Sequence, residues 1–205
     1  PVCGPSRASF LSGLYPQSTG VLNNTFDIRK TRPGTVSMPQ FFKQNGYWTA
    51  GVGKVFHNTK SDHGDIAWHE SLRFENDELA VVREARVKFE AEHGSIEKQP
   101  NKKKWKEIQK QVSAKLNAQT PPGKGRSGLR DDQHKDGKNA RQVVQWLEDK
   151  SYGDKPFFIS LGLQKPHVPF LAPDKYFDLY PFDKITYQND RPNLWNFLPS
   201  SALSR

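Results

Sequence analysis

Cysteine is almost absent from this chain: there is one in 205 residues, alongside a single methionine. One thiol excludes an internal disulfide and leaves the redox compartment open. Long apolar runs are missing too, and no stretch approaches the ~18 apolar residues of a membrane span. Hydrophobic content is 34% and mean hydropathy is -0.82, both low for a compact core, yet five Trp and thirteen Phe argue against general disorder. A globular chain with polar insertions fits these numbers. An initiator methionine is also lacking, since the chain opens Pro1-Val2. With a candidate nucleophile at position 3, nothing upstream could enclose a site, so the chain is expected to be a piece of a larger domain.

Acid is scarce in one segment. From Lys98 to Arg130 there are ten Lys or Arg against a single acid, Glu107, a surplus equal to the whole chain's net charge of +9. Such a segment attracts polyanions, whether nucleic acid, anionic polysaccharide or an acidic membrane. Trp105 is its only aromatic residue, and stacking platforms for single-stranded nucleic acid need several, so nucleic acid is disfavoured. A solvated helical or disordered insertion is the blander account.

The lone thiol sits in the most informative stretch, Cys3-Gly4-Pro5-Ser6-Arg7-Ala8-Ser9-Phe10-Leu11-Ser12-Gly13. Pro5 suits the first turn of a helix, because its missing N–H has no partner there anyway, and Gly13 suits the end, where left-handed dihedrals are needed. Cys3 then lies at a helix mouth whose N–H groups favour negative charge, and Arg7 adds a planar cation that matches sulfate or phosphate. An anion site containing a nucleophile is expected. The competing account is a small buried cysteine ahead of an ordinary helix.

Further along, Ser37 reads as the cap of a helix through Met38–Gln44 that ends at Asn45-Gly46, followed by a β-prone run, Tyr47–Val52. Asp136-Gly137 opens a second helix with Ala140, Val143, Val144 and Leu147 on one face, and Gly153-Asp154 then leads into the apolar strand Phe157–Leu161. That run is apolar on both faces, as in a parallel strand covered by helices. Helix-strand alternation predicts an α/β fold with its ligand site beyond the carboxyl ends of the strands. Between the two units, Glu78–Glu92 is a helix candidate with Leu79, Val82 and Phe89 at helical spacing, and Thr120–Gly125 is a breaker-rich linker. Residues 76–130 are read as a helical and basic insertion rather than a domain.

Two loops at strand ends carry chemistry-bearing residues. Gly53-Lys54-Val55-Phe56-His57 sets a cation and an imidazole three residues apart, and Lys165-Pro166-His167-Val168-Pro169-Phe170 brackets an imidazole between prolines. Chemistry on a bound anion needs fixed positive charge and a proton donor or acceptor, which these residues can supply. Surface loops would hold the same residue types on base rates alone. His63, His69, His93 and His134 fit no motif, and Asp62-His63-Gly64-Asp65 is too short for a metal loop, so a polar turn is expected there.

Cys3-x-Pro5-Ser6-Arg7 with Leu11-Ser12-Gly13 resembles the signature of the type I sulfatases. The Gly53–His57 and Lys165–Phe170 runs, with Leu179-Tyr180-Pro181, resemble in matching order the iduronate-2-sulfatase-like branch. The resemblance covers residues 1 to about 75 and 131 to about 187. It implies part of an alkaline-phosphatase-like sandwich with a mostly parallel sheet covered by helices, the chain being a partial catalytic domain. It implies that Cys3 is oxidised to formylglycine by a formylglycine-generating enzyme and then serves as nucleophile and metal ligand, with Arg7 as its anchor. Lys54 and His57 would contact sulfate and the formylglycine hydroxyl, and His167 would contact sulfate. The family's metal, usually calcium, is held by an aspartate pair and by a later Asp with His or Asn, all outside this chain. Family membership also implies sulfated small molecules or carbohydrates as substrates and a periplasmic, secreted or lysosomal location. Ser12 stands where the family more often has Thr, which leaves the chemistry untouched.

Two rivals remain at this stage. One is an inactive binding module that holds sulfated polysaccharide or nucleic acid through Lys98–Arg130. The other is a phosphoesterase of the same superfold, disfavoured because such enzymes present an unmodified Ser or Thr in place of Cys3.

Overall fold

The computed structural model describes residues 2–57, 64–74, 80–119, 124–186, 189, 193 and 196–199, with the side chains of 80 and 113–119 excepted. The chain divides into two units, Pro1–Asp174 and Lys175–Arg205.

In the first unit, α1 (Cys3–Ser12) runs between extended Val2 and left-handed Gly13, whose N–H bonds to the Ser9 carbonyl at 2.8 Å. Two single-turn helices follow, α2 (Pro16–Thr19) and α3 (Ile28–Thr31), the second capped by Asp27 Oδ1, which accepts from the Arg29 N–H at 3.0 Å. Helix α4 (Met38–Gln44) forms where Ser37 predicts it, and Gln40 Oε1 accepts from the Ser37 N–H at 3.4 Å. Next come β1 (Trp48–Gly53), β2 (Glu70–Leu72), α5 (Ala80–His93), α6 (Asn101–Gln119), β3 (Lys124–Arg126), α7 (Lys135–Glu148), β4 (Phe157–Gly162) and β5 (Phe170–Ala172).

Strand β1 is the centre of a three-stranded parallel sheet ordered β2-β1-β4, in register from Trp48↔Phe157 to Gly53↔Gly162. Every β1 residue is buried. One layer against the sheet is built from Leu11, Val55, Phe56, Ala67 and Trp68, with Met38 and Phe158 at its margin. The other holds Trp48, Ala50, Val52 and Trp146, where the two indoles meet edge to face at 6.0 Å. The Trp146 N–H donates to Glu70 Oε2 at 2.8 Å, so the polar edge of this buried ring has a partner.

Three expectations change. Helix α7 does not bury the Ala140, Val143, Val144, Leu147 face: Val144 and Leu147 are exposed, and the inward face runs through Asn139, Val143 and Trp146. Apolar periodicity missed it because Asn139, wholly buried, is a polar core residue whose Nδ2 donates to the Gly162 carbonyl at 3.5 Å. Strand β4 is only partly covered, with Phe157 and Leu161 exposed, because it lies at the edge of the three-stranded sheet and pairs on one side with β1. Lys124 and Gly125, read as linker, belong to β3, which pairs in parallel with β5 from Lys124↔Phe170 to Arg126↔Ala172. Lys-Gly-Arg shows no apolar alternation, and only the backbone ladder makes it a strand.

Helices α5 and α6 pack on each other around Val82, Phe89, Ile96 and Trp105, with Ala85, Ile108 and Val112 beside them. Trp105, Ile108 and Val112 lie at i, i+3 and i+7, one helical face, while Lys103, Lys106 and Lys110 repeat the same spacing on the exposed side. Glu78 and Leu79, expected to begin the first of these helices, lie outside the described residues, as do Thr120–Gly123.

The second unit starts within α8 (Asp174–Asp178) and contains a 3-10 turn, Phe182–Lys184. There the Tyr180 N–H bonds to the Phe177 carbonyl and the Lys184 N–H to the Pro181 carbonyl, both at 3.0 Å.

Candidate active site

Cys3 opens α1 and is half-buried. The helix mouth offers fewer free donors than its sequence predicts. Gly4 N–H is taken by Asn24 Oδ1 at 2.7 Å, Pro5 has none, and Ser6 N–H already bonds to the Val2 carbonyl at 3.1 Å. Side-chain cations, more than the helix end, therefore set the local potential. Arg7, one turn on, donates from Nη1 to the Val55 carbonyl at 2.8 Å, which ties α1 to the loop after β1. Burial holds this guanidinium below the usual arginine range, nearby Cys3 partly offsets that, and Arg73 pushes it down further.

Lys54 reaches the thiol directly, with Nζ 3.8 Å from Cys3 Sγ. Its placement depends on two glycines. Gly53 has φ 79, and a Cβ there would strike the Gly162 carbonyl oxygen and the Asn139 carboxamide; a Cβ on Gly162 would strike the Lys54 backbone. The bare backbones let the Lys54 N–H bond to the Gly162 carbonyl at 2.7 Å, which turns the chain out of the sheet at the point where the lysine leaves it.

His57 lies on the far side of Arg7. Its Nδ1 is buried with no hydrogen-bond partner among the described residues, and it borders a small, mainly apolar cavity of about 20 Å³ that Arg7, Leu11, Phe26, Ile28 and Phe56 also line. Burial first, then Lys54, Arg7, Arg73 and His167, hold the imidazole below its ordinary value, so neutral His57 is favoured near pH 7. Arg73, which sequence reasoning did not single out, donates from Nη2 to the Phe56 carbonyl at 3.3 Å. Two arginines thus hold successive carbonyls of the Lys54–His57 loop.

His167 is exposed on the loop after β4, where its Nδ1 donates to the Val168 carbonyl at 2.8 Å and leaves Nε2 as the other ring nitrogen. The loop is fastened at its base by Asp136 in the first turn of α7, which accepts from the Gln164 and Lys165 N–H groups, both at 2.8 Å. Sequence reasoning used Asp136 only as a helix opener. Its partners lie 28 and 29 residues away, so no local pattern could reveal them.

Cys3, Ser6, Arg7, Phe10, Lys54 and the Leu163–His167 loop line one open cavity of about 620 Å³. Four of the five expected site residues, Cys3, Arg7, Lys54 and His167, therefore share it, at the carboxyl ends of β1 and β4 where an α/β sheet binds ligands. His57 does not line it; it borders the smaller cavity on the other side of Arg7. Among the described residues no carboxylate lines the cavity, and no group of three or more His, Cys, Asp or Glu could hold a metal. The remaining histidines have other roles. His69 Nδ1 accepts from the Thr49 N–H at 3.0 Å, and buried His134 pairs through Nε2 with Ser127 Oγ at 2.7 Å. His93 packs on Phe89, with ring centroids 4.7 Å apart, while Asp62 and His63 lie outside the described residues.

The sulfatase family profile matches residues 1–200. The chain belongs to the sulfatase family. It is 32% identical to human iduronate 2-sulfatase over 205 residues, which is 98% of this chain and 33% of that protein. It is also 32% identical to a sulfatase of Formosa agariphila over 207 residues, 94% of this chain and 36% of that one. The chain thus spans about a third of the length of these curated relatives. Crystal structures of Ps i-CgsB share the fold: one superposes with a TM-score of 0.52 at 17% identity over 89% of this chain and 39% of its own. A second, in complex with k-i-k-neocarrahexaose, gives 0.50 at 17% identity over 87% and 38%. The fold is α/β and alkaline-phosphatase-like. No helix among the described residues is long and apolar enough to cross a membrane.

Proposed function

We propose that this chain is the part of a sulfuric ester hydrolase that carries its nucleophile and most of its sulfate-binding cations, acting on sulfated sugars. The observation that supports this is the meeting of Cys3, Arg7, Lys54 and His167 on one cavity that no carboxylate among the described residues lines, with Lys54 Nζ 3.8 Å from the thiol. An acid-free cavity with converging cations suits a divalent anion and repels neither its charge nor its geometry.

Each residue then has a task. Cys3, converted to formylglycine by a formylglycine-generating enzyme, would supply through its hydrate the oxygen that bonds to sulfur as the ester S–O bond breaks, the hydrate's proton leaving with the departing alcohol. Lys54 stabilises the charge on that oxygen and on the sulfate, a role its short distance to Cys3 suits. Arg7 anchors the Cys3 turn to the Lys54–His57 loop through the Val55 carbonyl. As imidazolium, with Nδ1–H committed to the Val168 carbonyl, His167 donates from Nε2 to the sulfate, while neutral His57 is a proton acceptor set behind Arg7, outside this cavity. The family's calcium does not fit the described residues: Cys3 is the one family-type ligand near the cavity, and a hard cation wants about six to eight oxygens. Its donors would come from outside them, and no step above runs through it. Residues 76–130 are taken as an insertion in the catalytic domain, a reading supported by the separate cluster that α5 and α6 bury between themselves.

The polyanion-binding rival has less support, because Lys103, Lys106 and Lys110 lie along an exposed face of α6 and line no described cavity with the thiol. Release of sulfate from an aryl sulfate by the longer protein, produced alongside a formylglycine-generating enzyme, tests the proposal. Turnover that Cys3→Ala abolishes is expected. Turnover that survives this change, or none from the unaltered protein with its aldehyde formed and calcium supplied, would overturn it.

A further inference from the structure

Helix α7 contributes no residue to the lining of the candidate cavity, yet its first turns touch both loops that do. Asp136 accepts two consecutive backbone N–H groups, Gln164 on Oδ1 and Lys165 on Oδ2, and both of these residues line the cavity beside His167. One turn later, Asn139 Nδ2 donates to the Gly162 carbonyl, which also receives the Lys54 N–H at 2.7 Å. Asp136 and Asn139 are three residues apart and share a helix face. A single helix end therefore spans the exits of β1 and β4, from which Lys54 and His167 depart.

We propose that Asp136 is a positioning residue for His167: its carboxylate fixes the base of the 164–167 loop so that the imidazole meets sulfate already held by Lys54. The inference rests on the sulfatase reading for the role of His167, and extends it to a residue outside the cavity. Charge-assisted bonds from a carboxylate to two backbone N–H groups are stronger than neutral ones and impose a planar, two-point geometry. The loop gains a second tie within itself, since the His167 N–H bonds to the Gln164 carbonyl at 3.0 Å. Rotation at Gln164 and Lys165 would thus carry His167 with it. Asn at 136 keeps the shape but turns one acceptor into a donor facing an N–H, whereas Glu keeps the charge and displaces it by one methylene.

The test uses the longer protein, with Asp136→Asn and Asp136→Glu, and two readouts by nuclear magnetic resonance. Amide exchange at Gln164 and Lys165 reports the ties, with Ala50 in β1 as reference. Titration with inorganic sulfate, followed on the His167 ring signal, reports placement of the imidazole. In Asp136→Asn, exchange at Gln164 and Lys165 should rise about tenfold or more while Ala50 holds, as expected for loss of charge-assisted bonds. The sulfate concentration at half-saturation should rise about fivefold or more, and Asp136→Glu should recover part of both. Unchanged exchange at the two amides would overturn the inference, as would exchange that rises equally at Ala50, which marks general destabilisation. So would freed amides with an unaltered sulfate response. If the unaltered protein shows no sulfate response at His167 while exchange still depends on Asp136, the sulfatase role of His167 fails, and the positioning role falls with it even though the ties are real. Should Asp136→Asn not fold, Asp136→Glu alone decides by the same two readouts.

Discussion

The chain concentrates positive charge in two places that behave differently. Around Cys3, the cations Arg7, Lys54 and Arg73 and the imidazoles of His57 and His167 are near enough to act on one another, and burial and mutual repulsion hold Arg7 and His57 below their ordinary values. On α6, Lys103, Lys104, Lys106 and Lys110 are exposed and make no ion pair with a described residue, unlike Lys102, which reaches Glu97 at 3.7 Å. The second group contributes more to the net charge, and the first has more chemical consequence. Convergence on a cavity is costly without a ligand and is therefore informative, whereas a row of lysines along a helix costs almost nothing to keep.

The sharpest way to break this comparison is to damage each region and read the other. Trp105→Ala should destabilise the α5–α6 pair by about 3–5 kcal/mol, the usual cost of deleting a large buried aromatic. Amide exchange across α5 and α6 would show it, while sulfate binding at His167 should stay within about twofold. A large change there would mean that the two regions are energetically one. Conversely, Lys54→Ala should lower kcat/KM on an aryl sulfate by about 10²–10³-fold in the longer enzyme, the usual cost of losing one preorganised charge-stabilising contact. Replacing Lys103, Lys106 and Lys110 together by Gln should leave it within about twofold. Equal losses from the two variants would erase the distinction between converging and dispersed charge.

A smaller effect concerns pH. Because folding lowers the His57 pKa, the folded chain binds this proton less readily than the unfolded one. The associated stability is complete above the unfolded value of about 6.5 and is lost as pH falls from there through the folded value. His57→Gln should flatten that part of the acid loss, as followed by thermal melting between about pH 7.5 and pH 5. An unchanged acid limb would show that His57 is not held neutral by its neighbours.

Much of the site was legible because its residues sit in contiguous runs. Cys3 to Gly13 specified a helix with a thiol at one end, and Gly53–His57 and Lys165–Phe170 each gave a strand exit with its cation or imidazole. The separation of His57 from the open cavity was not legible, since it depends on which side of Arg7 the loop passes. Asp136, Asn24 and Arg73 were equally hidden, because each acts through backbone groups distant in sequence. In the fold, α4, β1 and β4 followed from capping and apolar runs, whereas the inward face of α7 turned on a buried asparagine and β3 on pairing that no side chain announces.

The central claim is that Cys3 is a nucleophile precursor inside an anion site, and not a small residue ahead of an ordinary helix. Mass spectrometry of the peptide containing Cys3, from the longer protein produced alongside a formylglycine-generating enzyme and treated with an aldehyde-trapping hydrazide, tests it most directly. The account predicts that Cys3 is recovered as a trapped aldehyde. A peptide carrying only the unmodified thiol under those conditions would contradict it.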